Sequence, residues 1–304
     1  MDDTTENSIK AVGCILNDVK RPLRDRFRAL FTLRNLGGHD AIDEITKSFT
    51  DSSALLKHEL AYVLGQMQDE YALPILIKTL KDTSQEDMVR HEAGEALGAI
   101  GSKQALSILQ EYSSDSVIEV AETCQLAISR IEWLQNVKKD EDERLSHNPY
   151  KSIDPAPPAL EQNVIVMKSV LLNESLSLFE RYRAMFSLRN DGSEEAITAL
   201  AEGLKCKSAL FRHEVAYVLG QTQNPCGVDQ LVINLQDKRE NVMVRHECAE
   251  ALGAIATDKC IKVLEKFKCD QERAVKESCV VALDISEFEN SEQFQYADTL
   301  SKVS

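Results

Sequence analysis

Four of the six histidines in this 304-residue chain stand directly before a glutamate: His58-Glu59, His91-Glu92, His213-Glu214 and His246-Glu247. Two lie 33 residues apart, and both recur 155 residues further on. Imidazole and carboxylate without thiolate form a ligand set that suits non-haem iron or manganese better than structural zinc. Four carboxylates would balance two divalent cations and leave a neutral buried centre. The zinc-hydrolase pattern H-E-x-x-H is absent, because no second histidine follows at that spacing. The Glu-x-x-His spacing of di-iron helix bundles is absent as well. A single His-Glu pair on a helix surface means little. Its restriction means more. The pair occurs only in the second helix of the two inner hairpins of each half. The outer positions read as Arg26-Phe27 and Arg181-Tyr182 at one end, Glu119-Val120 and Ala274-Val275 at the other. A scaffold residue copied along with its repeat would not stop at the centre.

The elements that must hold these residues repeat with them. LKHELAYVLGQ at 56–66 returns as FRHEVAYVLGQ at 211–221, and VRHEAGEALGAI at 89–100 returns as VRHECAEALGAI at 244–255. RFRALFTLRN at 26–35 returns as RYRAMFSLRN at 181–190, at the same offset. Apolar residues at helical spacing predict helices over 8–20 and 23–36, broken at Arg21-Pro22, then over 40–49, 71–81, 103–112 and 117–133. The unit is a helical hairpin of ~30–40 residues, the signature of an α-solenoid. The fold is therefore read as all-α, eight hairpins in two pseudo-symmetric halves at 1–136 and 161–288. Residues 137–160 hold a charge run and four of the seven prolines, which is linker chemistry, and His147 reads as a solvated linker residue. Residues 289–304 form a polar, aperiodic tail with the composition of a disordered segment.

Equivalent helices of neighbouring hairpins pack about 8–10 Å apart, which sets His58 beside His91 and His213 beside His246. If the halves face each other about a pseudo-twofold axis, four imidazoles and four carboxylates converge. Gly65 and Gly220 follow the upstream histidines by seven residues, two turns along one face. A glycine there signals close approach, either of another helix or of a substrate; Gly98 and Gly253 pose the same choice.

Composition excludes several classes. A formal charge of −15 opposes nucleic-acid binding and suits a cationic partner. No apolar run approaches the roughly 20 residues of a membrane span. The acidic start, MDDTTENSIK, is not a signal peptide. Eight cysteines without a C-x-x-C pair indicate no disulfide framework. Cys124 and Cys279 read as core thiols, and reduced cytosol is the simplest compartment.

The four His-Glu pairs, the YVLGQ and EALGAI continuations and the linker motif NPYKSIDPAPP at 148–158 resemble the deoxyhypusine hydroxylases, whose hairpins are HEAT repeats. The resemblance covers nearly the whole chain. It implies a di-iron monooxygenase with two Fe2+ ions and dioxygen as co-substrate. The reaction implied is hydroxylation of the deoxyhypusine side chain of translation factor 5A, in the cytoplasm and also the nucleus. By the resemblance all four histidines are iron ligands and all four glutamates are ligand candidates. Glu92 and Glu247 are expected as ligands, Glu59 and Glu214 near the substrate amines, with Gly65 and Gly220 leaving room beside the irons. The rival from another class is a non-catalytic solenoid that binds partners on its concave face and holds no metal. A bilin lyase would share the hairpins without needing paired His-Glu in both halves. A zinc or manganese hydrolase would act without dioxygen.

Overall fold

The computed structural model describes residues 3–138 and 144–289. Sixteen α-helices pair into eight hairpins among these residues. The first four are α1 (Asp3–Asn17) with α2 (Leu23–Leu36), α3 (Gly38–Thr46) with α4 (Ala54–Met67), α5 (Leu73–Lys81) with α6 (Asp87–Ile100), and α7 (Leu106–Tyr112) with α8 (Ile118–Asn136). After the linker come α9 (Val164–Leu172) with α10 (Leu178–Asp191), α11 (Glu194–Gly203) with α12 (Ala209–Thr222), α13 (Val228–Gln236) with α14 (Val242–Ile255), and α15 (Asp258–Phe267) with α16 (Arg273–Glu289). Helix ends differ from the spacing by a turn. α1 stops at Asn17 rather than 20, and α3 gives way to a 3-10 turn at Lys47–Thr50. Ser53, Ser177, Ser193 and Ser208 each accept a first-turn backbone N–H and so fix where their helices begin. The tail beyond Glu289 lies outside the described residues.

Each half has its own apolar core between the two helices of its hairpins. Four buried arginines clamp those hairpins shut. Arg26, Arg90, Arg181 and Arg245 donate Nε–H to the carbonyls of Leu16, Leu80, Leu171 and Leu235, each ten residues earlier, at 2.7–3.0 Å. This shared contact corrects the frame read for the first hairpin of each half. Arg26 and Arg181 match Arg90, so Phe27-Arg28 and Tyr182-Arg183 stand where the inner hairpins carry His-Glu. At the far ends the counterparts are shifted too. Arg90 and Arg26 pair with Asp115 and Asp51, each seven residues before Glu122 and His58 respectively. Glu122 and, by the offset, Glu277 thus occupy the histidine position, rather than Glu119 and Ala274.

The solenoid closes into a ring. α8 packs on α10 and α12, and α16 packs on α2 and α4. The two joints mirror each other: Ser208 donates to Glu122 at 2.7 Å, and Ser53 to Glu277 at 2.6 Å. Arg28 adds a forked pair to Asp284, from first hairpin to last. Residues 148–159, read as linker, form a packed strap. Asp154 takes two hydrogen bonds from the buried Arg189, at 2.7 and 2.9 Å, and Ala156 is fully enclosed. His147 is exposed. Among the described residues no helix is long and apolar enough to cross a membrane.

Candidate metal centre

The inner helices α4, α6, α12 and α14 bring the four histidines together at the middle of the ring. Ring centroids of His58 lie 5.4 Å from His91, 5.8 Å from His213 and 5.0 Å from His246; His91–His213 and His213–His246 are 5.2 and 5.3 Å apart. His91 and His246 are wholly buried, and the four partner glutamates are nearly so. Glu92 Oε2 lies 3.2 Å from His58 Nε2 and 3.9 Å from His91 Nε2, and Glu247 Oε2 lies 3.4 Å from His213 Nε2. None of these approaches has the alignment of a hydrogen bond.

Both nitrogens of all four imidazoles are buried without a hydrogen-bond partner. A buried polar atom left unpaired costs about 1–3 kcal/mol, so eight in one cluster mark a place built to bind something else. The lone pairs converge as metal donors would. His58, His91 and His213 offer three atoms within 4.8 Å of one another, as do His213, His246 and Glu247, and also His91, Glu92 and Glu95. The residues present therefore fit a metal ion.

Electrostatics agree with that fit. Burial pushes all four imidazoles towards the neutral, ligating form, His213 to about 4. Burial, then repulsion among the acids, pushes Glu59 and Glu214 well above the usual carboxylate range. Burial likewise lifts Glu92 to about 8 and Glu247 well up. Only added positive charge would keep so many carboxylates ionised in this interior.

The site contains four residues the sequence reading passed over. Glu95 and Glu250 lie one turn beyond His91 and His246, half-buried at the edge of the same cluster, and Glu95 Oε2 has no partner. Their counterparts after His58 and His213 are Tyr62 and Tyr217, whose hydroxyls meet at 2.8 Å across the pseudo-twofold axis. The signal was present: all four sit four residues after a histidine, on the same helix face, at the 155 offset. A cavity of about 310 Å³ runs from these groups outward past Phe31, Gln223, Ala254 and Ile285. Glu59 and Glu214 line it, as does Gly220; Gly65 is not among its lining residues. Both glycines serve helix contact. A Cβ on Gly65 would stand 2.8 Å from Ala96 Cα, and one on Gly220 2.9 Å from Ala251 Cα. Gly98 and Gly253 meet Ala127 and Ala282 in the same way.

Fold and site define a HEAT-repeat protein with a buried His/Glu cluster able to hold a metal. A family model of HEAT repeats matches residues 42–129 and 197–284. Curated relatives narrow this. The chain is 60% identical over 300 residues to a deoxyhypusine hydroxylase of Drosophila melanogaster, covering 98% of both chains. It is 60% identical over 299 residues to the deoxyhypusine hydroxylase of Homo sapiens, again covering 98% of both. The solved structure of human deoxyhypusine hydroxylase in complex with glycerol matches with a TM-score of 0.90 and 61% identity, covering 94% of this chain and 98% of that one. The chain belongs to the deoxyhypusine hydroxylase family.

Proposed function

We propose that the centre holds two ferrous ions and that the protein hydroxylates the deoxyhypusine side chain of translation factor 5A, with dioxygen as co-substrate. The observation that carries the metal is the set of eight partnerless imidazole nitrogens facing buried carboxylates. Nitrogen and carboxylate donors without thiolate favour iron. His58, His91 and Glu92 would hold one ion, and His213, His246 and Glu247 the other. Glu92 and Glu247 suit ligation because each reaches an imidazole of the neighbouring helix. When bound, the irons supply activation of dioxygen, so that one oxygen atom enters a C–H bond and the other leaves as water, with two electrons and two protons from an external donor.

The chain's own residues bind and orient the substrate. Glu59, Glu92, Glu95, Glu214, Glu247 and Glu250 all border the cavity. These six carboxylates exceed by two the charge that two divalent cations neutralise. Deoxyhypusine carries two ammonium groups on a methylene chain, which would make up the difference. Glu59 and Glu214 are the carboxylates assigned to those amines, and each would hold its ammonium protonated in an interior that disfavours an unpaired charge. Phe31, Ala254 and Ile285 wall the outer cavity with apolar surface suited to the methylenes. The eight cysteines are unpaired, in keeping with a cytoplasmic or nuclear setting where the factor is made and used. The net charge of −15 favours encounter with a basic protein loop and disfavours nucleic acid. Loading the protein anaerobically with Fe2+, measuring metal by mass spectrometry and then adding reductant, dioxygen and deoxyhypusine-bearing factor tests the reading. The expected product is heavier by one oxygen atom. Two bound irons with no product would send the site to another reaction class, and no bound metal would favour the scaffold.

A further inference from the structure

The halves correspond residue for residue at an offset of 155, so a ring made of them alone would have two equivalent mouths onto its central cavity. One of them is open. The cavity emerges past Phe31, Gln223, Ala254 and Ile285. Their counterparts are Phe186, Gln68, Ala99 and Arg130, and none of these borders it.

The second mouth is occupied by the strap. Gln66 grips the backbone of Ile153 at both ends of its amide, accepting from the N–H at 2.8 Å and donating to the carbonyl at 3.0 Å. Arg130, where the other half has Ile285, donates to the Asp154 carbonyl at 2.7 Å and to that of Gly98 at 2.6 Å. The Asp154 carboxylate is forked onto Arg189, and Ala159 N–H bonds Ser187 Oγ at 2.8 Å, next to Phe186. Arg34, the counterpart of Arg189 one turn from Phe31, has no such carboxylate clamp among the described residues. These are buried or half-buried contacts made by several helices at once, so the strap is fixed in place.

We propose that the strap assigns the entrance: it plugs one of two pseudo-equivalent mouths, so that the substrate side chain enters only between α2, α12, α14 and α16. This rests on the hydroxylase reading of the site. A pseudo-symmetric cavity with both mouths open would admit a long diamine chain in two poses and present different carbons to the centre. With one mouth, a single pose places one carbon there. Among the described residues the strap has no counterpart in the other half, and it is therefore able to break the equivalence. Arg130 and Asp154 become positioning residues: they touch no substrate and act by closing a path.

The test uses the iron-loaded protein and a peptide that carries deoxyhypusine beside a photo-reactive diazirine residue. After irradiation and digestion, adducts are expected on α2, α16 and the C-terminal turns of α12 and α14. Adducts on the strap, α8 or α10 would overturn the assignment. As an independent reading, Ala254→Trp fills the open mouth and is expected to weaken peptide binding by about tenfold or more, measured by fluorescence anisotropy, with iron content unchanged. Unaltered affinity would overturn it. Turnover accompanied by adducts under the strap sinks the entrance alone. A wild-type protein that neither binds nor hydroxylates the peptide sinks the hydroxylase reading, and this inference with it.

Discussion

Gly65→Ala separates the metal site from the fold that carries it. Gly65 sits two turns beyond His58, where α4 crosses α6, and an added Cβ would lie 2.8 Å from Ala96 Cα and 3.0 Å from Ala96 Cβ. Carbon–carbon contacts settle near 3.5–4.0 Å, so the two helices must part by about 0.7–1 Å. The obstacle is backbone, which cannot swing aside as a long side chain would. Overpacking of this kind costs about 1–3 kcal/mol, and alanine recovers about 1 kcal/mol through helix propensity. The fold should therefore lose only about 0–2 kcal/mol. The site is less tolerant, because metal–ligand distances hold to about 0.2 Å. The strain falls between His58 on α4 and its neighbours on α6, His91 and Glu92, the latter at 3.2 Å. Gly65→Ala is expected to fold, to melt a few degrees lower without metal, and to bind about one iron per chain after anaerobic loading rather than two. Gly37→Ala is the control for lost stability alone: nothing lies within 4 Å of that position, but its φ of +68° with ψ of −175° strains any side chain, so it should lower the melting temperature and still bind two irons. Two tightly bound irons and wild-type turnover in Gly65→Ala would refute the reasoning.

His91→Ala removes a wholly buried donor and is expected to lose metal and activity; His39→Ala, on an exposed ring stacked against Tyr71, should keep both in the same mass-spectrometric assay. Burial holds Glu92 up at about 8, so between about pH 7.5 and 8, where the imidazoles are neutral in the fold and nearly all neutral in the unfolded chain, the metal-free fold keeps a proton that the unfolded chain has released. Its stability should fall as pH rises through that window, on the order of 1.4 kcal/mol per pH unit for each such carboxylate, and Fe2+ should reverse the trend because ligation needs the ionised form; scanning fluorimetry with a flat or rising metal-free melting temperature would contradict this. Asp284→Ala strips the forked bond that ties Arg28 of the first hairpin to the last, and should lower stability by about 1.5–3 kcal/mol in urea unfolding, Arg28 being partly able to reach water.

The hairpins and the facing dipeptides were legible because both repeat. An apolar period sustained over eight units, with a constant offset of 155, leaves little freedom in the architecture. The frame of the outer hairpins was not legible, because Arg26 and Arg181 look like surface charges at the start of a helix. Their burial depends on a carbonyl ten residues earlier, which no local pattern marks. The packing of the strap was not legible for a related reason. Proline-rich, aperiodic sequence reads as linker, whereas its hold comes from Gln66, Arg130 and Arg189, single contacts scattered along the chain. Gly65 and Gly220 stood open between two readings. Both prove to be helix contacts, with Gly220 also bordering the cavity.

Closure explains why the duplication is needed at all. Each half brings two histidines and three glutamates to the inner face of an arc. In an open arc those carboxylates would face water and stay ionised without help, and ring closure removes that water. The joints that close it, Ser208 to Glu122 and Ser53 to Glu277, are the same contact made twice, so each half completes the other's wall. Six carboxylates, four of them buried, crowded round one cavity are tolerable only when protonated or matched by cations. Fold, metal and a cationic substrate are thereby linked in one charge balance: whatever stabilises the ionised centre stabilises the ring. Two equal halves can supply the balance but not a direction. The direction has to come from the segment with no counterpart, which is the strap across one mouth.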